Sequence, residues 1–177
     1  MFLPGLRLAY LAESYSAGFV KVYRILKEPY WHDPLSVIGA EIAGGRWNPP
    51  GLGILYTATS PELALLETLV HFPGVNYDQL PRLRLFTLQI PDGEIRWIYP
   101  DLLPDAWADA TALPLTQRVF MEWLQQPVDL GLGVPSAVLD ISYNIILHPK
   151  HPFFSDIQVL GQQDLLLDRR LWNRPAP

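Results

Sequence analysis

Cysteine is absent from this sequence, which removes disulfides, thiolate nucleophiles and Cys-ligated metals from consideration. Long apolar runs are absent too: none approaches the roughly 18 residues that suggest a membrane-spanning helix. The opening stretch MFLPGLRLAYLAES lacks a basic region followed by an extended apolar one, so no secretory leader is read there. A cytoplasmic location is the expectation. A basic surplus is missing as well. The net charge is −5, and the Lys and Arg residues are scattered, with Arg82 and Arg84 the nearest approach to a cluster. A nucleic-acid binder ordinarily carries a basic stripe or surplus, so direct nucleic-acid binding is not expected. Charged residues make up only 18% of the chain against 49% hydrophobic, which is core-forming material and not the composition of a disordered chain.

What is present in quantity is proline and glycine, 18 and 12 residues in 177. They are spread throughout, so short elements and many loops are expected. No repeat or low-complexity linker divides the chain, and one domain over residues 1–177 is the simplest organisation. Residues 100–114 (PDLLPDAWADATALP) read as a long irregular connection, too apolar to be a linker.

Two helices are signalled. Ser60-Pro61-Glu62 supplies an N-cap, a first-turn proline and an acid suited to the helix dipole. Leu63, Leu66, Leu69 and Val70 follow as an apolar stripe, and Pro73-Gly74 ends the run. A second helix is expected from Leu115 to Gln126, with Leu115, Val119, Phe120 and Trp123 on one face and Pro127 as the stop. Strands are expected at residues 54–57, 84–90, 137–141 and 145–147. A further one at residues 95–99 would return as a hairpin after the Pro91-Asp92-Gly93 turn. Helices and strands do not alternate, which fits an α+β fold better than a doubly wound sheet.

The chemistry concentrates in a few places. In Gly44-Gly45-Arg46-Trp47-Asn48 the glycines open backbone shapes closed to other residues. An arginine set in such a turn either grips a phosphate with its planar fork or makes a surface salt bridge. Tyr56, inside an apolar strand just before the capped helix, either stacks on a flat ligand or is half-buried core. Glu67 lies mid-helix among leucines, four residues before His71, so the two side chains can meet. A carboxylate beside an apolar wall can act as acid, base or cation stabiliser; the ordinary alternative is a solvent-facing Glu. Ser136 and Asn144 sit at strand ends and can either donate to a ligand or cap backbone. His148 and His151 have a spacing compatible with metal ligation but no acidic partner nearby, and no metal site is expected.

Taken in order, these segments resemble the RES domain. Tyr23-Arg24-Ile25 resembles its opening motif, and Gly44 to Asn48 with Gly53 to Thr57 its GGRWN…G…YT signature. Ser60 to Glu67 and His71 resemble its acidic helix, Val134 to Val138 its VPSAV, and Asn144 the following Asn. His148 to Phe153 and Leu167 to Leu171 resemble its closing motifs. The resemblance covers residues of about 20–171. Departures are His148, where Asn is usual, and the stretch Asp140 to Tyr143.

The resemblance implies a compact α+β domain similar to ADP-ribosyltransferases, with a split central sheet flanked by helices. It implies a toxin of a bacterial toxin–antitoxin pair that degrades NAD⁺ by breaking the nicotinamide–ribose bond, as glycohydrolase or phosphorylase. Transfer of ADP-ribose to a protein is the alternative within the same pocket. A non-catalytic nucleotide-binding module is the alternative of another class, and it would have no need of Glu67. Under this reading NAD⁺ is a substrate and not a resident cofactor, and the partner is an antitoxin with an Xre-like helix-turn-helix domain. Glu67, Arg46 and Tyr56 are the expected catalytic residues. Arg24, Arg46, Tyr56, Ser136 and Asn144 are expected to bind NAD⁺, with His71 supporting.

Overall fold

The computed structural model describes residues 18–171. The N-terminal stretch read above for a leader lies outside that range, as do the last six residues. Seven strands form one mixed sheet: β1 (Phe19–Lys27), β2 (Leu55–Ala58), β3 (Leu83–Pro91), β4 (Ile95–Trp97), β5 (Gly131–Pro135), β6 (Tyr143–Leu147) and β7 (Gln158–Leu165), in the spatial order β4-β5-β6-β2-β1-β3-β7. The helices are α1 (Ile38–Ala43), α2 (Pro61–Leu69), α3 (Leu113–Val119) and α4 (Met121–Gln125), with short 3-10 turns between.

The sheet is α+β and split, as expected. Its two halves, β4-β5-β6-β2 and β1-β3-β7, meet at a single residue pair, Tyr23 with Ala58. Within each half the ladders are long: β1 pairs with β3 over the whole of Phe19–Lys27, and β2 with β6 from Leu55 to Ala58. Past Tyr23 and Ala58 the two strands diverge, and a wedge opens between them.

Both faces of the inner strands are covered, so these strands read as continuous apolar runs. Ile54, Leu132, Val134 and Ile146 pack on one face with Trp47, Phe120 and Trp123. Leu55, Ile145 and Leu147 pack on the other with Val22, Phe86, Leu88 and Ile90. Trp47 anchors its loop through a stacked contact with Trp107 at 6.0 Å and an edge contact with Phe120 at 5.3 Å.

Four expectations need correction. Residues 95–97 do not return as a hairpin on β3; β4 runs parallel to β5. Both edges of β3 are already taken, by β1 and β7. Residues 137–141 form a turn and not a strand, because the Val138 and Leu139 N–H groups donate to Ser136 Oγ instead of a ladder. The helix at 115–126 breaks at Phe120 into α3 and α4. That break turns Thr116, Phe120, Trp123 and Leu124 inward, while Leu115 and Val119 stay exposed. The stripe on α2 is also narrower than expected: Leu63 and Ala64 are buried, but Leu66 and Val70 are exposed. Residues 100–112 carry two short 3-10 turns, Pro100–Leu102 and Ala110–Ala112, in keeping with an irregular connection, and α3 begins at Leu113.

Candidate active site

The wedge between β1 and β2 is a cleft of about 710 Å³, lined by Arg24, Arg46, Tyr56, Glu67, His71 and Asn144 among others. That size suits a small-molecule ligand. The helix α2 lies along it. Ser60 caps α2 by accepting the Leu63 N–H at 3.2 Å, and Pro61 occupies the first turn. This fixed start sets Ala64 and Glu67 toward the split.

Glu67 is held from behind. Its Oε1 accepts hydrogen bonds from Ser136 Oγ at 2.7 Å and from Asn144 Nδ2. Ser136 is fully buried. Its single hydroxyl hydrogen goes to Glu67, while its oxygen accepts the Val138 N–H at 3.1 Å and the Leu139 N–H at 3.0 Å. The serine is thereby saturated and locked. Asn144 stands beside Ala58 in the β2–β6 ladder, and Ala58 stands beside Tyr23. The carboxylate is therefore pinned at the apex of the wedge. Its other oxygen makes no hydrogen bond among the described residues.

Tyr56 is fixed by its tip. Its hydroxyl donates to Asn48 Oδ1 at 2.7 Å and accepts the Trp47 N–H at 3.2 Å. Burial is the main cause that pushes the phenol up to about 12, against the opposing pull of the Trp47 hydrogen bond and of Arg46. At neutral pH the ring is a neutral wall of the cleft. Gly45 allows this approach: a Cβ there would lie 2.5 Å from the Tyr56 hydroxyl oxygen. Gly44 turns the chain at φ 68°, a conformation that glycine adopts without steric cost.

The two arginines face the same space. Arg46 is anchored through Nη1, which donates to the carbonyls of Trp107 at 2.6 Å and Asp109 at 3.0 Å. Burial draws its guanidinium below the ordinary value, opposed first by Glu67 and then by Tyr56 and Asp109. Arg24 donates from Nη2 to the Ser36 carbonyl at 3.0 Å, while its buried Nη1 has no hydrogen-bond partner among the described residues. Burial lowers Arg24 to about 10, with Asp33 acting the other way, so it remains cationic at neutral pH. A buried donor left unpaired is costly, and an anion in the cleft would relieve that cost.

The structure thus gathers Arg24, Arg46, Tyr56, Glu67 and Asn144 around one cleft. Ser136 is not among its lining residues; it positions Glu67 from behind. His71 is exposed at the rim and makes no hydrogen bond to Glu67 among the described residues, so the carboxylate is supported by Ser136 and Asn144 instead. His148 is buried, with Nε2 3.0 Å from the Leu124 carbonyl and Nδ1 accepting the Lys150 N–H at 3.1 Å. Both its nitrogens are committed to backbone. Among the described residues no group of three or more His, Cys, Asp or Glu side chains is arranged to hold a metal.

Two supporting residues were not singled out in the sequence. Asn48, fully buried, donates from Nδ2 to the carbonyls of Ala40 at 2.8 Å and Leu52 at 2.7 Å while holding Tyr56. Its signal was its place in the GGRWN run. Gln117 donates to the carbonyls of Gly45 at 2.7 Å and Asn48 at 3.2 Å, tying α3 to the glycine loop; nothing local in the sequence marks it.

Comparison with known proteins finds similarity over most of the chain. The family model described as the RES domain matches residues 21–168. A protein of Yersinia enterocolitica named Toxin Res is 37% identical over 133 residues, covering 75% of this chain and 86% of its own length. The Prs ADP-ribosylating toxin of a Sphingobium species is 34% identical over 146 residues, covering 80% and 89% respectively. A chain in the crystal structure of the M. tuberculosis MbcT–MbcA toxin–antitoxin complex superposes with a TM-score of 0.66 over 84% of this chain and 87% of that one, at 21% identity. At that identity the likeness is one of fold.

Proposed function

This chain belongs to the RES-domain family, and from that premise we propose that it is the toxin of a toxin–antitoxin pair and cleaves the nicotinamide–ribose bond of NAD⁺. The observation that carries the reading is the pinned carboxylate of Glu67 at the apex of a cleft that also presents two arginines. Heterolysis of the N-glycosidic bond returns the bonding electron pair to nicotinamide, which leaves neutral. The ribose C1″ is left with cation-like character. A fixed carboxylate stabilises such a centre without reorganising. Its second oxygen is available to the reacting atoms or to the incoming nucleophile. Arg24 and Arg46 suit the pyrophosphate as charge-assisted donors, and the Tyr56 ring offers a flat neutral surface for nicotinamide. Asn144, which lines the cleft, orients Glu67 and remains near the ribose.

The acceptor is water or phosphate in this reading, giving ADP-ribose or its 1″-phosphate and one proton from the attacking group. Transfer to a protein is the second reading, favoured by one observation: the Sphingobium relative is named for ADP-ribosylation. An antitoxin partner is supported by the fold neighbour, which was solved as a toxin–antitoxin complex; a helix-turn-helix domain in that partner is part of the same proposal.

Incubation of the purified protein with NAD⁺, with and without phosphate and candidate protein acceptors, tests the proposal. Free nicotinamide is the expected product, and its companion names the acceptor. Folded, antitoxin-free protein that releases no nicotinamide under any of these conditions would overturn the reading.

A further inference from the structure

The charges lining the cleft exceed what a dinucleotide pyrophosphate requires. Arg24, Lys27 and Arg46 line it against a single carboxylate, Glu67, in a chain whose net charge is −5. On the function proposed above, the two pyrophosphate charges are met by the two arginines. Lys27 is then a third cation with no assigned anion.

Its position is informative. Glu67 is held at the apex, where Asn144, Ala58 and Tyr23 stand side by side. Lys27 ends β1 and pairs with Leu83, four residues beyond Tyr23. At about 3.3 Å per residue it stands roughly 13 Å from the apex along the strand. An adenosine half laid along β1 from a nicotinamide at Glu67 would reach that end. The Lys27 Nζ lies 4.9 Å from the centroid of the Phe72 ring, a contact that holds a cation without neutralising it. No carboxylate pairs with it among the described residues, and the adjacent Glu28 is engaged by Arg82 at 2.7 Å. His71, next to Phe72 in the chain, and Tyr30, three residues after Lys27 and 60% exposed, also line the cleft.

We propose that this outer end is a subsite for the 2′-phosphate of the adenosine ribose, with Lys27 as the specificity-determining residue and His71 as a second donor, so that NADP⁺ is a substrate alongside NAD⁺. The inference rests on the NAD⁺-cleaving reading of the same cleft. It assigns no new chemical step; it names the dinucleotide that the cleft accepts.

The test compares nicotinamide release from NADP⁺ and NAD⁺ by the wild-type protein and by Lys27→Met. Methionine retains an apolar stem against Phe72 and removes the charge, and Lys27 is exposed, so the fold is kept. The wild type is expected to consume NADP⁺ with kcat/KM at least equal to that for NAD⁺. Lys27→Met is expected to lower the NADP⁺/NAD⁺ ratio of kcat/KM by about tenfold or more, the loss ordinary for a charge-assisted hydrogen bond. Consumption of NAD⁺ without NADP⁺, or an unchanged ratio in the variant, overturns the subsite while leaving the reaction intact. If neither nucleotide is turned over, the reaction itself was misread. Titration of each nucleotide against both proteins then decides the subsite alone: a selective weakening of NADP⁺ supports it, and equal Kd values for NADP⁺ and NAD⁺ in the wild type refute it.

Discussion

Ser136 gives its one hydroxyl hydrogen to Glu67 and takes two backbone N–H groups in return, so a buried hydroxyl both orders a turn and aims a carboxylate. Tyr56 shows the same economy: one hydroxyl satisfies Asn48 and Trp47 while the ring walls the cleft. Tyr56 also has a pH signature. Its folded-state pKa, about 12, lies above the ordinary 10.0, so between those values the folded state holds a proton that the unfolded chain has lost. The stability it contributes is full below about pH 10 and falls as pH rises toward 12. Tyr56→Phe should therefore cost about 1–2 kcal/mol at neutral pH, by leaving Asn48 Oδ1 and the Trp47 N–H unpaired. It should also lose less stability than the wild type on going from pH 9 to 11. Denaturant unfolding across that range checks both; parallel alkaline losses in the two proteins would count against the assigned environment.

At the scale of elements, α3 matters for what it grips and not for what it buries. Gln117 and Thr116 fasten the glycine loop by its carbonyls at Gly45, Asn48 and Arg46. Gln117→Ala is expected to raise the KM for NAD⁺ by several-fold (about 3–10) with a smaller change in kcat, because Arg46 and Tyr56 lose their common support at a cost of about 1–2 kcal/mol. Steady-state kinetics will show it, and an unaltered KM would mean the loop stands without α3. The helix α2 was legible in the sequence because Ser60-Pro61-Glu62 is a local signal for a local structure. The strand β7 was not, since as an edge strand it is almost wholly exposed and shows no apolar alternation. The pairing of β4 was misread because Pro91-Asp92-Gly93 specifies a turn but not which edge is free. Glu67, Arg46 and Tyr56 were legible as candidates from their motifs. The exchange of His71 for Ser136 and Asn144 as the supports of Glu67 depends on β6 lying beside β2 and β5 beside β6, which no spacing along the chain encodes.

For the whole molecule, the decisive feature is a sheet joined across its middle by one residue pair. The two halves each carry their own apolar packing, and the cleft is the space their divergence leaves. An acidic protein thereby builds a cleft lined by three cations and one carboxylate, which favours an anionic ligand. No helix among the described residues is long and apolar enough to cross a membrane.

The proposed chemistry places its whole demand for charge stabilisation on Glu67, and the most direct measurement is nicotinamide release from NAD⁺ by the wild type and by Glu67→Gln, with NAD⁺ affinity measured on both. Glutamine keeps an oxygen for Ser136 and Asn144 and removes the negative charge. The account predicts that the variant folds, binds NAD⁺ within a few-fold of wild type, and releases nicotinamide at least about 100-fold more slowly, the scale of loss for a preorganised electrostatic group. Turnover by Glu67→Gln near the wild-type rate would contradict it.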